Sequence, residues 1–137
     1  DVSVTNVVLG ALATRDWRPM HHDKDFAVER NGTRHVFVNT PHNAAYFERY
    51  LTDWTGPRGR LGRIKFRMKD SVFPGDQMSF IGQVEEVRTD DAGCAWADVV
   101  VALKVGDKIT TTCEASIAIP TDESDNPWER SGADWKP

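Results

Sequence analysis

The chain has 137 residues and a mass of 15.4 kDa, with 17 Lys+Arg against 21 Asp+Glu, a net charge of −4. That length holds one domain with a core of its own. The acidic balance sets aside nucleic-acid binding, and no apolar run approaches the roughly 20 residues of a membrane span. Asp1 to Val8 lacks the basic stretch and long apolar core of a signal peptide. Two cysteines, Cys94 and Cys113, stand at no metal-binding spacing. They read as core residues of a protein from a reducing compartment, so a cytoplasmic location is expected.

Thr5 to Ala13 reads as a short helix, with Thr5 as its cap and Val8, Leu9 and Leu12 at helical spacing. A polar loop broken by Pro19 follows, and Asp23 is placed to cap a helical turn from Lys24 to Glu29, stopped near Asn31-Gly32. Val36-Phe-Val38 reads as a short strand or an extended lead-in. The strongest helix comes next. Thr40 is placed to cap it, with Pro41 at the first position, and Ala44, Phe47, Leu51 and Trp54 form an apolar stripe flanked by Tyr50. Gly56-Pro57 ends it.

Four strands follow. Ile64, Phe66 and Met68 alternate with basic residues. After a Pro74-Gly75-Asp76 turn, Gln77 to Val87 reads as a strand with Met78, Phe80 and Val84 on one face. Cys94 to Leu103 and Ile109 to Ile119 are joined by a hairpin at Val105 to Lys108, and Ile109, Cys113, Ala115, Ile117 and Ile119 share a face. This order is compatible with an α+β class, a curved antiparallel sheet wrapped around one central helix, which is the hotdog arrangement. Residues 1–119 form that domain. Residues 120–137 form a polar, Pro-broken tail with Trp128 and Trp135 available to dock on a partner.

Asp16 and His21 stand five apart on the loop held by Pro19. A carboxylate and an imidazole on one rigid loop suit general acid-base work on water. Spacing alone does not separate that reading from a solvated carboxylate beside a surface histidine. His21, His22, Asp23 and Asp25 are also metal-ligand types, but no second cluster supplies further ligands, and capping accounts for Asp23. His35 and His42 stand alone, and His42 lies in the first turn of the apolar helix. No nucleophile elbow, phosphate-binding glycine loop or Cys-x-x-Cys is present.

Ala13 to Ala27 resembles the signature of MaoC-like R-specific enoyl-CoA hydratases, Gly-Asp-x-Asn-Pro-x-His-x-Asp-x-x-x-Ala. Asp16, Pro19, His21, Asp23 and Ala27 match it in order and spacing, while Arg15 stands for the glycine and Arg18 for the asparagine. Phe66 to Asp76 resembles the family's strand and its Pro-Gly-Asp turn. The Ala-Leu-Ala-Thr-Arg-Asp run ending at Asp16, His21-His22-Asp23, Val36 to Asn39 and Arg49 to Pro57 narrow the resemblance. They are similar to the small MaoC-like subunits of heteromeric steroid side-chain hydratases from actinobacteria.

The resemblance implies hydration of a trans-2-enoyl-CoA. Asp16 would accept a proton from water held jointly with His21, and the pair would return one to C2. The start of the apolar helix, at His42, Asn43 and Ala44, would stabilise the thioester oxygen. No metal or organic cofactor is called for. The implied partner is a larger MaoC-like chain or a second copy. Two other readings stand beside this one: an acyl-CoA thioesterase on the same fold, and a non-catalytic acyl-CoA-binding subunit.

Overall fold

The computed structural model describes all residues, 1–137. The chain divides into two compact units. One comprises Asp1–Tyr46, Met68–Ser79 and Leu103–Thr111, and the other Phe47–Arg67, Phe80–Ala102 and Thr112–Pro137.

In the first unit, helix α1 (Val4–Ala13) starts one residue before the expected Thr5 cap. Ser3 is the cap instead. Its hydroxyl accepts the Asn6 N–H at 3.0 Å, and the Asn6 side chain accepts the Ser3 N–H at 3.0 Å. This reciprocal box satisfies two donors that the helix cannot bond itself. The buried face is Val7, Gly10 and Ala11, while Leu9 and Leu12 are 58% and 44% exposed, so the expected apolar stripe is rotated. The reason is close approach. A Cβ at Gly10 would fall 1.8 Å from His42 Nδ1, so the position has room for glycine alone unless the His42 ring shifts. An exposed Gly-to-Ala change in a helix gains about 1 kcal/mol. Gly10→Ala should instead destabilise by about 1–3 kcal/mol through overpacking, measured by urea unfolding. A gain in stability would contradict this packing.

The end of α1 aims the following loop. Asp16 N–H reaches back to Ala11 O at 2.9 Å and Arg15 N–H to Leu12 O at 3.1 Å. This paired pattern requires a left-handed residue after the cap, and Arg15 supplies it at φ 54°. The signature that this loop resembles has glycine at this position, and the geometry gives the reason: an L side chain there is strained by about 1–2 kcal/mol. Arg15→Gly should therefore leave thermal stability unchanged or raise it by up to about 1 kcal/mol after glycine's own chain-entropy cost, whereas a fall of more than that would show that Arg15 makes contacts of its own.

A single 3-10 turn, Pro19–His21, leads to helix α2 (Lys24–Glu29), capped by Asp23 through the Phe26 N–H as the sequence predicts. Val36 to Val38 joins no strand, and Val38 N–H bonds Val72 O at 2.9 Å. Helix α3 (Thr40–Thr55) is capped by Asn39 and not by Thr40, which is its first helical residue. Asn39 O accepts the Asn43 N–H at 2.9 Å and Asn39 Oδ1 the His42 N–H at 3.1 Å. Asparagine is among the best N-caps, and Pro41 in the first turn removes a donor that needs no partner there.

In the second unit, Phe47 and Leu51 of α3 are fully buried, whereas Trp54, expected on the same stripe, is 52% exposed at the last turn. Phe47 stacks on Phe66 at 6.2 Å and meets Phe80 edge-on at 5.3 Å, and Tyr50 stacks on Phe80 at 5.7 Å. Phe66 belongs to β1 (Arg60–Met68) and Phe80 to β2 (Met78–Thr89). With β3 (Ala95–Val105) and β4 (Lys108–Ile119) they form one four-stranded antiparallel sheet in the order β1-β4-β3-β2. Cys113, Ala115 and Ile117 are buried as expected. Val84 is 40% exposed because β2 is an edge strand, and Ile109 is 41% exposed beside the hairpin, where Thr111 begins the buried row instead.

The tail lies against its own unit. Arg58 donates to the carbonyls of Asp122, Glu123 and Asp125. The Arg60 guanidinium lies 3.7 Å over Trp135, which packs on the fully buried Trp96 at 5.0 Å, while Trp128 stays 58% exposed.

Candidate active site

The paired hydrogen bonds that end α1 fix the backbone of Asp16, and the 3-10 turn begun by Pro19 places His21 back beside it. His21 Nε2 lies 3.4 Å from Asp16 Oδ2, at ion-pair distance but without a hydrogen bond. His21 is buried, with the Phe37 ring edge-on to it at 4.8 Å. Its Nδ1 lies 2.9 Å from Phe37 O. A carbonyl oxygen only accepts, so Nδ1 carries the hydrogen, and the tautomer this contact selects has its lone pair at Nε2.

Asp16 is surrounded by donors. Arg18 Nε donates to Oδ1 at 2.8 Å and Arg18 Nη2 to Oδ2 at 2.7 Å, a two-pronged grip. Asn39 Nδ2 donates to Oδ2 at 3.0 Å and also to Thr14 Oγ1 at 2.8 Å. The Arg18 grip, with help from Asn39 and the neighbouring His21, outweighs partial burial and holds the carboxyl well below the ordinary carboxylate range. Asn39 thus caps α3 and orients Asp16 with one side chain. Sequence reasoning passed over it, although an asparagine just before Thr-Pro at a helix start is itself a capping signal. Arg18 was visible only as a departure from the signature.

The residues expected to stabilise a thioester oxygen are placed differently. The N–H groups of His42 and Asn43 are both engaged in the α3 cap. The His42 ring packs on Gly10 and stacks with Tyr46 at 4.4 Å, and burial lowers its pKa. Asn43 is buried and donates to Thr111 Oγ1 at 3.3 Å, and Ala44 is half-buried. What the start of α3 offers Asp16 and its surroundings is the positive end of a sixteen-residue helix. His22 and Asp25 are exposed. His35 Nδ1 accepts the Val36 N–H. Cys94 and Cys113 are buried, and burial pushes the Cys113 thiol up to about 11, which disfavours the nucleophilic thiolate.

The model of the MaoC-like domain matches residues 1–108. The beta subunit of a 3-oxo-4,17-pregnadiene-20-carboxyl-CoA hydratase from Mycobacterium tuberculosis is 36% identical over 113 residues, covering 82% of this chain and 84% of that protein. Among solved structures, the ChsH1-ChsH2 complex from the same organism superposes with a TM-score of 0.76 at 30% identity, over 85% of this chain and 87% of the matched chain. An (R)-hydratase from A. caviae involved in PHA biosynthesis superposes with a TM-score of 0.73 at 23% identity, over 86% and 88% of the two chains, and shows the shared hotdog fold.

Proposed function

This chain belongs to the MaoC-like domain family, and we propose that it is the small, catalytic subunit of a hydratase that adds water across the trans-2 double bond of a steroid side-chain enoyl-CoA. The observation that carries the reading is the Asp16–His21 pair, brought to 3.4 Å by a loop whose two ends are fixed independently. Water bound between the two groups loses a proton to the pair as its oxygen bonds C3. The C2–C3 π electrons move toward the thioester, whose carbonyl oxygen gains negative charge that the positive end of α3 favours. The pair then returns a proton to C2 on the same face, the thioester carbonyl re-forms, and one water has been added. No metal or organic cofactor enters, and CoA serves as the carrier of the substrate.

The partner is a larger MaoC-like chain. The beta-subunit name of the relative and the two-component solved complex support a heteromer. β2 supplies the contact surface: it is an edge strand whose backbone groups lack a neighbour on one side, and Ile81, Val84 and Val87 on it are 57%, 40% and 63% exposed. The chain should gain full hydratase activity only when reconstituted with such a partner. Light scattering with an enoyl-thioester absorbance assay tests this. A fully active monomer would refute the assembly, and a fully active homodimer on steroid thioesters would refute its heteromeric form.

A further inference from the structure

The Asp16–His21 pair is not alone on its loop, because Arg18 grips both oxygens of the carboxylate. The two prongs measure 2.8 and 2.7 Å, and Asn39 adds a third donor at 3.0 Å. Parallel N–H···O bonds of this kind fix both the charge and the plane of a carboxylate. A carboxylate so loaded is a weak base, since any proton it takes must displace a charged donor. His21 stands in the opposite condition. Its Nδ1–H is committed to Phe37 O at 2.9 Å, and Nε2 has no hydrogen-bond partner although it is buried. The groups facing Asp16 are therefore Arg18, Asn39 and His21. Of the pair, only His21 Nε2 has an uncommitted basic atom.

We propose that Arg18 is a positioning residue for the hydration reaction: by gripping Asp16 it keeps that side chain an oriented anion and leaves His21 Nε2 as the atom that carries the proton. This rests on the hydratase reading above. A water O–H bond breaks, its proton goes to Nε2 and its oxygen bonds C3. The same proton then passes from Nε2 to C2, leaving His21 neutral again. Asp16 orients the water and stabilises the transient imidazolium without being protonated. Arg18 is itself 60% exposed at its side chain, so its replacement leaves the core untouched.

The test uses the chain assembled with its partner, with Arg18→Gln and Arg18→Lys beside the wild type. Arg18→Gln should lower kcat about tenfold or more with KM changed less than about twofold, because the lost interaction acts in the transition state. Carbon-detected NMR titration of the Asp16 carboxyl should show its pKa rising by about one to three units in Arg18→Gln. Arg18→Lys, which keeps the charge but not the fork, should restore part of that shift and only part of kcat. An effect confined to KM would make Arg18 a substrate contact and overturn the proposal, as would an unmoved Asp16 titration. Absence of hydration by the wild-type assembly would overturn the hydratase reading and the proton assignment with it, a failure separable from the titration result.

Discussion

Asp16→Asn and His21→Ala should each lower the turnover of the assembled enzyme by about 10²- to 10⁴-fold, the range that a positioned acid-base group or the carboxylate that orients it contributes. Asp16→Asn keeps the shape of the side chain and the backbone bonds that end α1. It removes the negative charge that faces both Arg18 and His21. His21→Ala removes the uncommitted Nε2 and leaves Phe37 O without its donor. On the proposed mechanism the two groups act on one water, so the double variant should be little worse than the more damaging single variant. Circular dichroism and thermal unfolding check that each variant folds, and steady-state hydration rates give the effect. Rates near wild type in both would refute the site.

Leu51→Ala should destabilise the chain by about 2–5 kcal/mol, the range for emptying a buried leucine site. Leu51 is fully buried one turn beyond Phe47, whose ring is held between Phe66 and Phe80. Aromatic rings locked in stacked and edge-on contacts move little, so the space left should collapse only in part. Urea unfolding of the wild type and variant gives the difference. A loss under about 0.5 kcal/mol would contradict the burial of this face of α3.

The geometry of the loop from Asp16 to Asp23 is legible in the sequence because its information is local. Asp16, Pro19, His21 and Asp23 each have roles set by neighbours within a few residues: a helix end, a 3-10 turn and a cap. The helices and strands were legible for a similar reason, through their apolar periods. Faces failed where a distant residue decided them. The stripe of α1 turned toward Gly10 because His42, thirty-two positions along the chain, presses on that face. Ile109 and Val84 kept the right period but lost burial to a hairpin end and a sheet edge. Arg15 and Arg18 looked like losses from the signature. Arg15 adopts the left-handed backbone that glycine would take more easily, and Arg18 grips the carboxylate. The sequence points to the start of α3, at His42, Asn43 and Ala44, for an oxyanion site, whereas Asn39 takes the N–H groups of His42 and Asn43 into the cap.

The most direct test of the central claim is the identity of the product formed from a steroid side-chain enoyl-CoA by the assembled enzyme in isotopically labelled water, read by mass spectrometry. The expected product is an intact thioester that has gained one water, with the label on the C3 hydroxyl, and it should be lost in Asp16→Asn. Free CoA together with a labelled carboxylic acid, and an unaltered double bond, would contradict it.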